Sequence, residues 1–254
     1  MGDSEATDTG MQPASRSDDG PHTHYRIRCS VRLTDVTFGQ AIRFLSISGQ
    51  EGGRVYGANL IRALEERYGF WESPKTVADY DMAKGVNFLH GFFNRRFVID
   101  RLQIYANGIV AEAKMPTEAL DDFLDDIIQW ARSEINLGVN DSQNRRAYNS
   151  HIEIFSDMPF SKVFLPFASV GEHLTSMMRA YGVNTNTFEF SGIRLNANND
   201  TLPAPKPVAF SFERREGKPY DSGFFFSTAS LKTSDHMSIL NELEAIIRAM
   251  LNAS

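Results

Sequence analysis

Four groups of residues in this chain are of types that could do chemistry. The first is the run Gly49-Gln50-Glu51-Gly52-Gly53-Arg54-Val55-Tyr56-Gly57, which leads into a helical pattern. A glycine-rich loop at a helix N-terminus can cradle phosphate with backbone N–H groups, and Arg54 would add charge. No Gly-Lys-Ser/Thr follows, and the glycine spacing is not the dinucleotide fingerprint, so a connecting loop is the plainer reading. The second group is three arginine pairs, Arg95-Arg96, Arg145-Arg146 and Arg214-Arg215. Converged in space, they could clamp a phosphorylated or carboxylated ligand. Neighbours in a strand point to opposite faces, so each pair offers one arginine per face, and separate solvated strand ends are the plainer reading. Together these groups nominate Gly52, Gly53, Arg54 and Arg214 as a ligand-binding set.

The third group is titratable. Six histidines are scattered along the chain, and none shows HExxH or another metal-binding spacing. A single cysteine, Cys29, excludes every zinc-ribbon pattern and any intrachain disulfide. It lies in an alternating strand pattern, where a packing thiol fits better than a nucleophile. His151 and Glu153 share a strand face and could act as an acid/base pair, although two exposed polar residues account for the spacing more simply. His236, in the first turn of the last helix, reads as a surface residue. Asp121, Asp122, Asp125 and Asp126 read as the solvated side of a helix, near an N-terminus whose dipole favours them. No Gly-x-Ser-x-Gly elbow or EF-hand loop is present, and no complete catalytic constellation or cofactor motif emerges.

The fourth group is aromatic. The chain has 19 Phe, several of them clustered as Phe92-Phe93 and Phe224-Phe225-Phe226. In a strand Phe225 faces away from Phe224 and Phe226. Such a strand is either sandwiched between two layers or presented at an interface, with a second copy of the chain the first candidate partner.

Regular elements must position these groups. Tyr25 to Leu33 alternates with period two and reads as a strand with a basic solvated face. Leu60, Ile61, Leu64 and Tyr68 form one helix face, with Gly69 as its C-terminal cap. Val86–Phe93 is a strand. Phe97–Tyr105 and Ile109–Met115 flank Ala106-Asn107-Gly108, a hairpin signature. Thr117 is placed to cap a helix carrying Leu120, Phe123, Leu124, Ile127, Ile128, Ala131 and Ile135 on one side, ending at Gly138. Asn140 to Asn149 reads as a boundary or long loop, and His151–Phe155 as a short strand. Val170 to Tyr181 has a helical stripe, and Phe188–Leu195 is strand-like. Val208–Arg214 and Gly223–Ser230 are strands joined by Glu216-Gly217-Lys218-Pro219. The last helix begins at Thr233 or Ser234 and carries Ile239, Leu240, Leu243, Ile246, Ile247, Met250 and Leu251 on its buried side.

A shared plan for the two halves is one reading, beside the plainer one that any α+β segment looks alike. Each half runs through strands and a hairpin to a threonine-started helix that closes it. Thr117 stands to Leu124, Ile127 and Ala131 as Thr233 stands to Leu240, Leu243 and Ile247. A one-faced apolar meander needs a cover, and such a helix supplies it. The expected fold is α+β, with largely antiparallel sheets and an internal duplication as one option. The expected organisation is an acidic disordered tail over residues 1–24, an N-terminal half over 25–138 and a C-terminal half over 139–254.

A chain of 254 residues, 42% hydrophobic and 23% charged, has a globular composition and can bury a sizeable core without staples. Asp3, Glu5, Asp8, Asp18 and Asp19 against Arg16 give residues 1–20 a charge of -4 out of a total of -6, so the body carries -2. A near-neutral body lacks a broad positive field, which makes nucleic acid an improbable partner. No apolar run suggests a membrane span and no leader is visible, so a cytoplasmic location is expected. The leading functional expectation is a non-catalytic interaction or regulatory protein that works through aromatic-rich sheet or helix surface and self-associates. A small-ligand or phosphate-binding module using the Gly49–Gly57 loop is the alternative. A hydrolase or transferase without a recognisable motif is the third.

Overall fold

In the computed structural model, residues 31–48, 57–135, 138–140, 145–198, 205–219 and 221–253 are described. Cys29, the acidic start of the chain and the glycine-rich run with Gly52, Gly53 and Arg54 lie outside them.

Period-two stretches give strands β1 (Arg32–Phe44), β2 (Ser46–Ser48), β3 (Val86–Phe93), β4 (Phe97–Tyr105), β5 (Gly108–Ala113), β6 (Gly138–Asn140), β7 (Arg146–Phe155), β8 (Gly192–Leu195), β9 (Phe210–Arg214) and β10 (Phe224–Ala229). The helices are α1 (Gly57–Tyr68), α2 (Thr117–Ser133), the single turn α3 (Phe160–Val163), α4 (Ala168–Ala180) and α5 (Thr233–Asn252). Eight strands form one antiparallel sheet in the order β3-β4-β5-β1-β7-β10-β9-β8, and β2 pairs separately with β6. The fold is α+β.

That strand order is a palindrome. In the first half a strand is followed by a helix, a three-stranded meander and a covering helix, and the meander folds back so that β5 lies beside β1. The second half repeats this from β7, with β10 beside β7. The halves join through β1 and β7, where Gly39 faces Ser150. Gly39 in turn pairs with Ala113 of β5, and Ser150 with Ala229 of β10. A pseudo-two-fold axis therefore passes between Gly39 and Ser150.

The two covering helices meet at the same axis. The Thr117 N–H donates to Thr233 Oγ1 at 3.1 Å, and the Thr233 N–H donates to Thr117 Oγ1 at 2.8 Å. Each threonine is the first residue of its helix rather than its cap, as the sequence spacing had suggested for Thr117. Each hydroxyl instead satisfies an orphan N–H of the opposite helix. The Ser234 N–H and hydroxyl both donate to the Glu118 carboxylate, which extends the junction.

Both covering helices lie on one face of the sheet, over two buried clusters. The first joins Ala41, Phe88, Leu102 and Ala111 with Leu120, Phe123 and Leu124 of α2 and with Ile61 and Leu64 of α1. The second joins Ile152, Ile154, Phe212 and Phe225 with Phe160, Leu240 and Ile247.

Several boundaries differ from the sequence pattern. β7 begins at Arg146, inside the stretch that reads as polar loop, because β1 offers a partner edge as far as the Arg43–Arg146 pair. α2 stops at Ser133, before the glycine assigned to end it. Only Gly192–Leu195 of the expected Phe188–Leu195 strand pairs with β9. Among the described residues no helix is long and apolar enough to cross a membrane.

Candidate functional site

The residues nominated from sequence do not gather. Arg95 and Arg96 form the β3–β4 turn at one edge of the sheet, Arg145 and Arg146 start β7, and Arg214 ends β9. Arg214 and Ile154 both stand opposite Phe225, so Arg214 lies at the end of β7 away from Arg146. Its guanidinium sits 5.8 Å from the Phe225 ring centroid. Arg215 binds Glu153 at 2.6 Å, which occupies the carboxylate proposed to work with His151. The His151 ring lies between Phe38 and Phe226, with centroids at 4.9 and 6.0 Å, and partial burial holds its pKa below the ordinary value.

Two polar sites were misread because neither is exposed. His236 is fully buried on the helix-covered face, with Nδ1 2.8 Å from Ser150 Oγ and Nε2 2.8 Å from Ser227 Oγ. Ser227 gives its proton to the Ser211 carbonyl at 2.6 Å, so Nε2 carries the hydrogen and Nδ1 accepts from Ser150. Burial pushes the imidazole down to about 4, with the neighbouring His151 as a secondary cause. It is a neutral strut with both nitrogens satisfied and no room for a substrate. Asp121 is likewise buried rather than solvated. It takes Arg43 at 2.5 Å, the Tyr148 hydroxyl at 2.7 Å and Lys232 at 3.2 Å. Asp125 also takes Arg43, at 3.0 Å. The helix periodicity places these aspartates beside β1, and an arginine already buried there draws them in.

Phe224, Phe225 and Phe226 split as strand geometry requires. Phe225 is in the core, stacked 4.6 Å from Phe212. Phe224 and Phe226 lie on the other face and are half-buried, against Phe155 and His151. Neighbours on their own sheet largely cover them, so they are a weaker interface than their sequence suggests.

Among the α-helices, the exposed large apolar side chains lie on α4 and α5, while Trp71, Phe92 and Val98 are exposed beside the sheet edge of the first half. The two-fold arrangement pairs α1 with α4 and α2 with α5. α1 ends in Tyr68-Gly69 and α4 leads into Tyr181-Gly182, and both glycines adopt positive φ, +63° and +82°. In the first half α1 lies on α2: the Tyr68 ring meets Phe123 at 5.2 Å and Trp130 at 6.4 Å, and its hydroxyl donates to Asp126 at 2.7 Å. In the second half α4 does not lie on α5. Leu64 and Tyr68 are 0% and 4% exposed, whereas their counterparts Met177 and Tyr181 are 42% and 71% exposed. Phe123 and Trp130 of α2 are 0% and 9% exposed, whereas Ile239 and Ile246 of α5 are 40% and 49% exposed. Ile239, Ile246 and Met250, assigned by periodicity to the buried side, are exposed because no described element covers α5 as α1 covers α2. Periodicity reports which side of a helix is apolar, not whether anything packs on it.

α4 instead forms an arm with the segment that returns from it. The Phe188 N–H donates to Thr175 Oγ1 at 2.9 Å, and that hydroxyl donates to the Gly171 carbonyl at 2.7 Å. A Cβ at Gly171 would collide with the Phe188 carbonyl oxygen, so only glycine allows this approach. Phe164 stacks on Phe190 at 5.1 Å with the rings nearly parallel. Between helix and return segment is an apolar cavity of about 430 Å³ lined by Phe164, Phe167, Val170, Leu174, Phe188 and Phe190 among others. Leu165, Phe167, Val170 and Leu174 are all exposed around it.

A second cleft, of about 180 Å³, opens beside the end of β1 and is lined by Arg43, Asp125, Arg132, Arg145 and Arg146 among others. Arg145 lies 4.5 Å from the Phe44 ring centroid. No group of three or more His, Cys, Asp or Glu able to hold a metal occurs among the described residues. The chain matches no protein-family model and no curated protein.

Proposed function

We propose that this protein is a non-catalytic interaction module that self-associates through the apolar surface of its C-terminal half. The observation that carries this reading is the exposure of Ile239 and Ile246 on α5, at positions whose counterparts on α2 are covered by a helix. Contiguous apolar surface of this kind marks a binding site more often than idle surface. Its position on a regular helix gives a partner a rigid, repeating pattern to read. Native mass spectra and light scattering across a dilution series test the reading. The expected result is a concentration-dependent oligomer that Ile246→Asp reduces to monomer. A strict monomer at every concentration, or an oligomer indifferent to Ile246→Asp, overturns it.

A second reading, an anion-binding module, is favoured by the cleft lined by Arg43, Arg132, Arg145 and Arg146 beside Asp125, with Asp121 pairing Arg43 and Arg146 at 2.5 and 3.6 Å. It moves the expected ligand site from Arg214 to the end of β1 from which the glycine-rich run continues. Titration with inorganic phosphate followed by calorimetry tests it. Binding lost in Arg145→Ala supports the reading, and no heat at millimolar phosphate removes it.

A further inference from the structure

We propose that the partner is a second copy of this chain and that the two copies exchange arms, each laying its α4 on the other's α5. This rests on the self-association reading above and names its geometry. The first half of the same molecule shows what the missing contact looks like. There, an amphipathic helix ending in Tyr-Gly lies on the covering helix, with its tyrosine against Phe123 and Trp130. The second half has both sides of that contact and does not bring them together. Leu174, Met177 and Tyr181 on α4 are exposed where Ile61, Leu64 and Tyr68 on α1 are buried, and Ile239 and Ile246 await a cover.

The arm is held away from its own α5 by three features. Phe160 of α3 already occupies the core beneath α5, against Phe212 and Phe225, and the chain leaves from that point. In the first half the segment after α1 returns along the sheet edge, with the Trp71 N–H donating to the Leu89 carbonyl at 3.2 Å and the Leu89 N–H to the Glu72 carbonyl at 2.9 Å. In the second half the corresponding segment is bonded to α4 instead, through Phe188 and Thr175. That bond and the Phe164–Phe190 stack hold α4 to its return segment and to the end of α3 rather than to α5. A second copy can receive the arm intact. Exchange of one identical element between two copies closes with two-fold symmetry and buries both arms and both α5 surfaces at once.

The test uses the full chain with Cys29→Ala, which removes the only thiol. One preparation adds Tyr181→Cys and another adds Ile239→Cys, the positions matching the Tyr68–Phe123 contact. Both substituted side chains are exposed, and circular dichroism checks that the folds are kept. The two preparations are mixed and treated with a short bismaleimide, and the crosslinked peptides are identified by mass spectrometry. The expected product is a dimer linked from residue 181 of one copy to residue 239 of the other. Separately, Tyr181→Asp is expected to weaken the dimer at least ~10-fold, the equivalent of about 1.4 kcal/mol. A chain carrying both cysteines that crosslinks to itself at high dilution shows closure within one copy and overturns the exchange. A dimer that yields only 181–181 or 239–239 links also overturns the exchange while leaving self-association intact. A monomer throughout removes both.

Discussion

The two halves of this molecule start from one plan and bury it differently. The N-terminal half closes over its covering helix: α1 covers α2, Tyr68 is wedged between Phe123 and Trp130, and Arg67 pairs with Asp126 at 2.9 Å over the seam, while Trp71, Phe92 and Val98 stay exposed. Burial pushes the Tyr68 phenol upward, and the Asp126 carboxylate it bonds pushes it further. The C-terminal half keeps the same sheet and covering helix but leaves the outer helix as an arm. Their interiors differ as well, each burying its own polar groups. Where the first half buries the Arg43–Asp121 ion pair, the two-fold places Ile154 and Met237 in the second. Where the first half has Gly39, Ala111 and Leu120 near the axis, the second has Ser150, Ser227 and His236. Which polar groups each half buries follows from side-chain choices at equivalent positions on one backbone plan.

Four measurements would break or sharpen this contrast. The largest effect is expected from Asp121→Ala, which leaves the buried Arg43 without its closest carboxylate. About 3–5 kcal/mol of stability should be lost, as is usual when one partner of a buried pair is removed. Met237→Ala at the equivalent place should cost less than half of that. Urea unfolding of both variants decides it, and equal losses would sink the claimed difference in cores.

The outer helices give the next effect. Leu64→Ala opens a cavity in a closed core and should cost about 2–5 kcal/mol. Met177→Ala, on the arm, should change the stability of the diluted protein by less than about 0.5 kcal/mol. If Met177→Ala proves as costly as Leu64→Ala in the monomer, the arm is docked in solution and the contrast fails.

The third effect is the pH dependence of the C-terminal core. His236 has a folded-state pKa of about 4 against an ordinary 6.5, so below pH 6.5 the unfolded chain binds a proton that the folded chain refuses. Its contribution is fully present above 6.5 and declines as pH falls toward 4, by up to about 3 kcal/mol. His236→Leu, which copies Leu120, should flatten that part of the stability profile between pH 7 and 4.5. A slope unchanged by the substitution would place the titration elsewhere.

The smallest effect is at the axis. Thr117→Ala and Thr233→Ala should each cost about 1 kcal/mol, the usual value of a lost helix-end hydrogen bond. Because each hydroxyl serves the other helix, either change should raise the amide exchange of the opposite threonine. Exchange that rises only at the substituted residue would rule out reciprocal capping.

Much of the fold was legible because local patterns carry it. The Asn107-Gly108 turn, the α2 stripe, the Tyr68-Gly69 helix end and the Phe210–Arg214 and Phe224–Ala229 strands follow from periodicity and turn chemistry. The matching spacing of the Thr117 and Thr233 helices already pointed to two similar halves. Long-range pairing was not written in any window. β7 extends back to Arg146 because β1 runs alongside it, and Thr117 serves α5 because the two-fold brings the helix ends together.

The candidate surface was only half legible. The sequence identified α4 and α5 as amphipathic and the chain as rich in phenylalanine. It offered core packing first and an interface second for Phe224–Phe226; Phe225 is in the core, and α5 and the arm carry the more exposed apolar side chains. His236 and Asp121 read as surface groups, because a lone histidine or one acid of a stripe looks the same in sequence whether solvent or a buried partner faces it, while Asp122 and Asp125 are exposed as the stripe implies. The sequence by itself determined which elements form and which side of each is apolar, since both follow from neighbours along the chain. Only the tertiary structure decided which apolar sides are covered and which polar groups are buried. Those outcomes depend on the steric locks at Gly171 and Phe160 and on residues more than a hundred positions apart meeting at one axis.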